Sequence, residues 1–370
     1  MEKNNNIITA AQFGIIGYFL GNAFFIGMGD TSLINFARQD TWLAAILAII
    51  LGLLPIAILI YIMNYKPEKN ILEKNKVLFG KIFGSLINFI IFAYMFVITI
   101  ILIWATSNYA IIIYLTVTPR LAIILLFVSL SIYTVIKGIE AICRTGQILF
   151  FVVLLMIVSI TMGLLQYSDF NNVKPILKDG AMPMIKGSIL YLSYAFTPLI
   201  SLLIIPKKTI KDQKKFNRYL IGGFLFSIMT MVLVFYVITS VLTVDLVDLY
   251  RYPAYYVQKK LVITNYFNNV ENFFSLHWFL NYFFGVIMSL YFLSKYVQHI
   301  FKFKDSKHIN ISVIILGLMT AIAANYAFKN GTNAFDFMRY QFPIWIAGIL
   351  FGILLLTCIL IFIRKKIGDT

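Results

Sequence analysis

Residues 8–28 read ITAAQFGIIGYFLGNAFFIGM, an apolar run of the length that a membrane-spanning helix requires. Glycines interrupt and follow this run, among them Gly17, Gly21, Gly27 and Gly29. Asn22 lies among them, and an amide in the middle of a span is costly unless it has a hydrogen-bonding partner. Small residues allow a helix to open and to present backbone amides to a polar ligand. The segment from Gly21 to Gly27 therefore predicts a broken helix that carries a binding site.

The same glycines have a second interpretation. Gly17 and Gly21 form a GxxxG pair, and such pairs often serve only to bring two membrane helices close together. Asn22 favours the binding site, since helix packing alone gives no reason for an amide in the middle of a span. At the level of sequence both interpretations stay open.

Apolar runs of this kind recur along the whole chain of 370 residues. The chain is 61% apolar and 12% charged, whereas about 25% of the residues in a soluble domain are charged. This composition excludes a water-soluble protein and predicts a single all-α membrane domain over residues 1–370. Between the charged clusters we predict ten spans, at residues 8–28, 42–63, 83–109, 121–136, 147–166, 187–205, 220–244, 273–294, 311–328 and 342–363.

The loops between these spans differ in positive charge. If the N-terminus is inside, the inner segments carry 21 of the 31 Lys and Arg residues and the outer loops carry ten. Acidic residues divide almost evenly, so the difference is specific to positive charge, as the positive-inside rule requires. We therefore predict that both termini are cytoplasmic. Because these loops account for the net charge of +16, we expect a membrane-lipid environment and no nucleic-acid partner.

Ten spans divide into two sets of five. The first set begins inside and the second begins outside, so the two repeats, residues 8–166 and 187–363, are predicted to be inverted in topology. The first helix of the second repeat is also interrupted, by Ser193-Tyr194-Ala195-Phe196-Thr197-Pro198. Paired interruptions at corresponding positions indicate a binding site near the membrane midplane, between broken helices 1 and 6.

Other positions extend this candidate site. Helix 6 offers Ser193 and Tyr194 ahead of a proline, which frees a backbone carbonyl for an ammonium group or a small cation. In helix 3, Tyr94 and Ile98 share one face, and helix 8 contributes Ser289. Ordinary helix packing is the alternative at each of these positions. Because no acidic residue lies in the middle of a predicted span, the sequence gives no sign of proton coupling.

Motifs of soluble enzymes are absent from the sequence. It contains no GxxxxGK[ST] phosphate loop, no HExxH zinc motif, no paired CxxC motif and no GxSxG nucleophile elbow. The three histidines lack a second ligand at metal-binding spacing, and the two cysteines lie far apart in apolar surroundings. We therefore expect no enzymatic activity, no catalytic residue, no cofactor and no metal site.

Several segments resemble one family of membrane proteins. They are GNAFFI (21–26), ARQDTWLAAILA (37–48), LFGKIFG (78–84), TPRLAIILLFVSLSIYTVIKGIEAICRTGQIL (118–149), YRYPAYYVQ (250–258) and FNNVENFF (267–274). Together they resemble the spore germination permeases, the B subunits of nutrient germinant receptors within the amino acid/polyamine/organocation superfamily. The resemblance extends over nearly the whole chain, and GIEAICR and ARQDTWL are its most specific parts.

The resemblance implies a LeuT-like transporter fold and a place in the inner membrane of the dormant spore. It implies that such a subunit binds a small nutrient, often an amino acid, and acts with an A subunit and a lipoprotein C subunit to trigger germination. The family pocket between helices 1, 3, 6 and 8, taken with the glycine pattern, gives these candidate ligand-binding residues: Gly21, Asn22, Gly27, Tyr94, Ile98, Ser193, Tyr194, Phe196 and Ser289. The alternative is an ion-coupled amino-acid transporter of the same fold, because sensing and transport can use one pocket.

Overall fold

The computed structural model describes residues 8–261 and 270–367, which form a bundle of helices. The helices are α1 (Ala10–Gly21), α2 (Asp30–Ala37), α3 (Thr41–Asn64), α4 (Ile71–Phe79), α5 (Lys81–Ile113), α6 (Arg120–Ile136), α7 (Ile139–Leu165), α8 (Ala181–Phe196), α9 (Phe216–Val241), α10 (Val244–Leu249), α11 (Pro253–Gln258), α12 (Val270–Phe274), α13 (Leu276–Phe301), α14 (Ser306–Tyr326), α15 (Gly331–Asp336) and α16 (Ile349–Lys366). A π-helical segment, Phe337–Gly348, joins α15 to α16. Two short strands, β1 (Ile8–Thr9) and β2 (Ile210–Lys211), pair in parallel.

Each of the ten predicted spans corresponds to helix in the structure. Among the described residues, eight helices are long and apolar enough to cross a membrane, and α1 and α6 are shorter apolar helices. One of the eight, Gly27–Asn64, contains the end of the first span and the whole of the second. The boundaries differ where a charged residue lies inside a helix: the first span continues past residue 28 to Ala37, and α7 begins at Ile139. The all-helical membrane architecture is confirmed.

Both predicted helix breaks are present. α1 ends at Gly21, a π-helical turn covers Phe25–Gly29, and the same span resumes as α2. In the sixth span, α8 ends at Phe196 and the chain continues as a 3₁₀ helix over Thr197–Ile204. This change begins beside Pro198, which has no backbone N–H for the next α-helical hydrogen bond. The two broken spans lie against each other, because α2 packs on α8.

The loops meet in two groups at opposite ends of the bundle. At one end β1, which precedes the first span, pairs with β2, which follows the sixth. We call this end the basic face, because the Lys-rich segment around β2 lies there. At the opposite face Arg38 forms a salt bridge of 3.3 Å with Asp245, and the Asp40 carboxylate accepts a hydrogen bond of 3.0 Å from the Leu177 amide. These groupings agree with the two sets of loops that the charge pattern separates.

Glycines bring α1 into close contact with α9. A Cβ atom added at Gly14 would lie 2.4 Å from the Tyr219 carbonyl oxygen. One added at Gly21 would lie 2.2 Å from Ser227 Oγ, and one added at Gly223 would lie 2.0 Å from the Gly14 carbonyl oxygen. In a close-packed interior, side chains at these positions would force the helices apart. The contact with α9 therefore fixes the position of α1 and of the break that follows it.

Candidate ligand site at the broken first helix

Residues 22–29 form the break between α1 and α2. Gly27 has a φ of +88°, a backbone conformation that glycine adopts readily and that a side chain would strain. The backbone N–H of Asn22 donates to the Phe19 carbonyl at 3.2 Å, and that of Gly29 donates to the Phe24 carbonyl at 3.1 Å. The chain thus changes direction within the bundle while these amides keep internal acceptors.

Asp30 is the first residue of α2 and is completely buried. Its Oδ1 accepts hydrogen bonds from the Gly27 amide at 3.2 Å and from the Thr31 amide at 2.8 Å. Its Oδ2 has no partner among the described residues, and none of their cationic side chains forms a salt bridge with it. The prediction that no span contains an internal acidic residue is therefore wrong. An ionisable residue inside a membrane span commonly marks a functional site.

Aromatic rings close the break. Phe25 stacks on Tyr191 of α8, with ring centroids 4.2 Å apart. The Tyr194 ring lies 6.1 Å from that of Phe25, and its hydroxyl donates to the Met338 carbonyl of the tenth span at 2.8 Å. All three rings are fully buried, so the break is closed to solvent in the described conformation.

Four buried polar atoms around the break have no hydrogen-bonding partner among the described residues. They are Tyr18 Oη, Asn22 Oδ1, Asp30 Oδ2 and Tyr191 Oη. Tyr18 Oη lies near Asn22 and Thr230, although not in a geometry that makes a hydrogen bond. Buried polar atoms in native proteins are nearly always paired, either with protein groups or with ordered water. The amide and carboxylate oxygens accept hydrogen bonds, whereas the two hydroxyls also donate. Unpaired acceptors on residues of the break and of the helix beside it suit a small polar molecule that donates hydrogen bonds.

The third and eighth spans contact the break through Leu102 and Gly285. A Cβ atom added at Gly285 of α13 would lie 2.9 Å from Ala23 Cβ and 3.0 Å from a methyl carbon of Leu102. Ser289 lies one turn further along α13, and its hydroxyl donates to the Gly285 carbonyl at 2.6 Å. Ile98 is buried one turn before Leu102 in α5. The predicted residues Ser289 and Ile98 thus each lie one helical turn from the level of the break.

Other predicted residues lie further from the break. Tyr94 precedes Leu102 by eight residues, which corresponds to about 12 Å along the axis of α5. The ring of Phe196 lies 6.2 Å from that of Phe351 in α16, so it contacts the tenth span. The Ser193 hydroxyl donates to a carbonyl of its own helix at 2.7 Å.

Three of the predicted residues come together at the break, namely Asn22, Gly27 and Tyr194. Gly21 faces α9 instead, as the packing interpretation of the GxxxG pair expects. The ligand-binding role of all nine residues stays a prediction.

Tyr252 covers the break on the side that faces away from the basic face. A Cβ atom added at Gly27 would lie 3.1 Å from the ring of Tyr252. The Tyr252 hydroxyl accepts a hydrogen bond of 2.6 Å from Asn108 Nδ2 of α5. The Thr31 hydroxyl donates to the Arg251 carbonyl at 3.0 Å. These bonds hold the segment before α11 over the break.

Asp30 and Tyr252 were not predicted from the sequence, and Tyr18, Phe25 and Tyr191 also lie outside the nine candidate residues. A signal for Asp30 was present, because the apolar segment Leu33–Ala37 follows it and extends the span beyond the charge. Tyr252 carries no comparable signal, since it lies in a connecting segment far along the chain. Its position depends on how the loops fold back over the bundle.

Known spore germination proteins are similar to this chain in sequence. A family profile described as spore germination protein matches residues 9–329. Spore germination protein YndE of Bacillus subtilis is 25% identical over 301 residues, which cover 80% of this chain and 82% of that protein. Spore germination protein KB of the same organism is 23% identical over 342 residues, covering 90% of each chain. The family match extends from the first broken helix past the end of the ninth span.

Solved transporter structures are similar to this chain in fold. MhsT in complex with L-phenylalanine superposes with a TM-score of 0.63 at 13% identity, covering 92% of this chain and 87% of that one. A Na⁺-coupled sialic acid symporter in a substrate-bound outward-open state gives a TM-score of 0.65 at 14% identity, covering 95% and 79%. At these identities the likeness concerns the fold alone. It confirms the predicted LeuT-like transporter fold.

Proposed function

The chain belongs to the spore germination protein family, and we propose that it is the membrane subunit of a nutrient germinant receptor. In this proposal the chain lies in the inner membrane of the dormant spore, with both termini in the cytoplasm. It acts with an A subunit and a lipoprotein C subunit. A small nutrient, an amino acid, binds at the break between α1 and α2, and this binding triggers germination.

The unpartnered polar atoms at the break are the observation that carries this proposal. Tyr18, Asn22, Asp30 and Tyr191 each place such an atom in a buried position next to the interrupted helix. Leaving buried polar atoms unpaired is unfavourable. A small molecule or ordered water that supplies the missing donors therefore lowers the free energy of the site. An amino acid is small and supplies several such donors through its ammonium group.

A nutrient bound here can act as a conformational signal. The Phe25–Tyr191 stack and the Tyr252 cover close the break in the described conformation. A ligand that requires these rings to separate binds the rearranged conformation better and shifts the population toward it. The partner subunits then respond to that shift, which links nutrient binding to germination through a coupling free energy.

An ion-coupled amino-acid carrier is the second candidate function. The fold resembles that of a Na⁺-coupled symporter. The buried carboxylate of Asp30 also removes the argument against proton coupling, which depended on the absence of an acidic residue from the spans. Both a carrier and a receptor use a pocket in the same fold. They differ in the fate of the bound nutrient, because a carrier releases it across the membrane and a receptor passes a signal to its partner subunits.

Germination of deletion spores tests the proposed function. The gene for this chain is deleted with its neighbouring genes intact, and spores are exposed to single amino acids before and after complementation. We expect one amino acid to lose its effect in the deletion strain and to regain it on complementation. Unchanged germination together with reduced uptake of labelled amino acid by growing cells would identify a carrier instead.

A further inference from the structure

Asp30 supplies an acceptor that any ligand at the break has to satisfy. We infer that this chain holds its ligand by an ammonium group at Asp30 Oδ2 and does not require a carboxylate on the ligand. The inference rests on the proposed function, since it specifies which group of the nutrient is recognised. It differs from the usual expectation for a broken helix, in which free amides at the start of the second half bind an anionic group.

The backbone amides at the start of α2 are already occupied. The amides of Gly27 and Thr31 donate to Asp30 Oδ1. The amides of Gly29 and Asp30 donate to carbonyls of the preceding turn. The Asp30 carboxylate therefore lies where a ligand carboxylate would bind, and it supplies the negative charge that a helix N-terminus favours. A ligand carboxylate at this position would find these amides already donating to Asp30 Oδ1 and to backbone carbonyls.

The second carboxylate oxygen of Asp30 lacks a donor. Asp30 has no exposed surface, and Oδ2 accepts no hydrogen bond from any described residue. Burying an ionised carboxylate without a compensating charge is strongly unfavourable. An ammonium group supplies both a positive charge and N–H donors, and such charge-assisted hydrogen bonds are among the strongest in proteins.

The surroundings of Asp30 favour an organic ammonium over a metal ion. The ring of Tyr252 and the hydroxyl of Tyr282 lie beside Gly27, whose amide donates to Asp30. The Tyr252 hydroxyl is already engaged by Asn108. Aromatic faces attract ammonium groups and contact apolar substituents, whereas hard cations require several oxygen ligands. No cluster of three or more His, Cys, Asp or Glu residues suited to a metal occurs in the described part of the chain.

We test this inference by measuring the binding of three matched series of ligands to the purified full-length chain. The series are alanine, ethylamine and propionate; leucine, 3-methylbutylamine and 4-methylpentanoate; and phenylalanine, 2-phenylethylamine and 3-phenylpropionate. The second member of each series lacks the carboxylate of the parent, and the third lacks the amine. Isothermal titration calorimetry in lipid nanodiscs gives each dissociation constant. We expect at least one amine to bind within about tenfold of its parent amino acid, and the corresponding acid to show no binding.

Asp30→Asn is the matched variant. It retains an oxygen that can accept from the Gly27 and Thr31 amides, and it replaces Oδ2 with an uncharged N–H donor of similar size. We expect the dissociation constant of the amine to rise about 30-fold or more, as when one partner of a buried charge pair is removed. Asp245→Asn removes an exposed carboxylate that pairs with Arg38 and should leave binding unchanged. The wild-type chain alone already separates amines from acids, so the test stands even if Asp30→Asn does not fold.

Three results would overturn the inference. They are stronger binding of an acid than of its matching amine, amine binding that Asp30→Asn leaves unchanged, and failure of all three amines to bind. In the last case, stabilisation by sodium relative to choline that Asp30→Asn abolishes would identify Asp30 as part of a cation site instead. A germination defect in the deletion strain combined with binding through the carboxylate refutes the inference and leaves the proposed function intact. Amine binding without a germination defect refutes the proposed function and leaves the inference intact.

Discussion

Gly21→Ala tests whether Gly21 serves the packing of α1 against α9. A Cβ atom at this position would lie 2.2 Å from Ser227 Oγ and 2.9 Å from Ser227 Cβ. The Ser227 hydroxyl is held in place because it donates to the Phe224 carbonyl at 2.7 Å. Overpacking of this kind typically costs about 1–3 kcal/mol. We expect the free energy of unfolding of Gly21→Ala to fall by an amount in this range.

Ser227→Gly provides the matched rescue. This change removes both atoms that the new methyl group would meet. In the double variant we expect a favourable coupling of about 1 kcal/mol or more, because neighbouring substitutions that share a contact are not additive. Gly222→Ala in α9 is the control, since nothing lies within 4 Å of a Cβ atom at that position.

Unfolding of the purified chain in mixed micelles by sodium dodecyl sulfate measures these free energies, with the fluorescence of the four tryptophans as the signal. The packing explanation is refuted if Gly21→Ala is as stable as Gly222→Ala, or if Ser227→Gly fails to relieve the loss. Germination gives a second readout. If Gly21 contacts the nutrient, the double variant stays unresponsive although its stability has recovered.

Three further predictions concern the break and the basic face. Gly27→Ala should lower stability by about 1–2 kcal/mol, because alanine is strained at this positive φ; equal stability to Gly222→Ala in the same unfolding assay would contradict this. Tyr191→Phe removes a buried hydroxyl without a partner, so we expect no loss of stability but a rise of about tenfold in the nutrient concentration for half-maximal germination; an unshifted dose–response curve would exclude the hydroxyl from the site. Burial lowers the pKa of Lys74 from 10.5 to about 8, while its ammonium group donates to two carbonyls at the end of α3. Between these pH values Lys74 is protonated in the unfolded chain and largely neutral in the folded one, so stability rises with pH. The thermal midpoint of the wild type relative to Lys74→Met should therefore rise from pH 8 to pH 10 and stay level below pH 7. A parallel pH dependence of the two proteins would contradict this.

Hydropathy and helix-breaking residues predicted most of the architecture. A span needs a long apolar run between charged segments, and these runs are distinct enough to locate ten spans, each of which corresponds to helix in the structure. The glycines of the first span and Pro198 of the sixth mark the two breaks, because each changes what the local backbone can do. The spans and their two breaks were therefore predictable from local chemistry, whereas the LeuT-like fold was an expectation from the family resemblance.

The details of the site depend on interactions that hydropathy does not record. A scan for apolar runs ends the first span before Asp30, although the local backbone amides stabilise this buried carboxylate. The pattern around Gly21 is the same for a packing face and for a binding site, and only the position of α9 distinguishes them. Tyr94 lies on a long helix whose register against the break is set by the contact between Leu102 and Gly285. Tertiary packing decides each of these three points.

The nutrient concentration for half-maximal germination, measured in spores that carry Asn22→Ala or Asn217→Ala, tests most directly whether the break binds the nutrient. Asn22 Oδ1 is buried at the break without a partner, whereas Asn217 is exposed near the basic face. We predict that Asn22→Ala raises this concentration about tenfold, as expected for the loss of one hydrogen bond worth about 1.4 kcal/mol. Asn217→Ala should match the wild type. An Asn22→Ala curve that coincides with the wild type at equal protein level would contradict binding at the break.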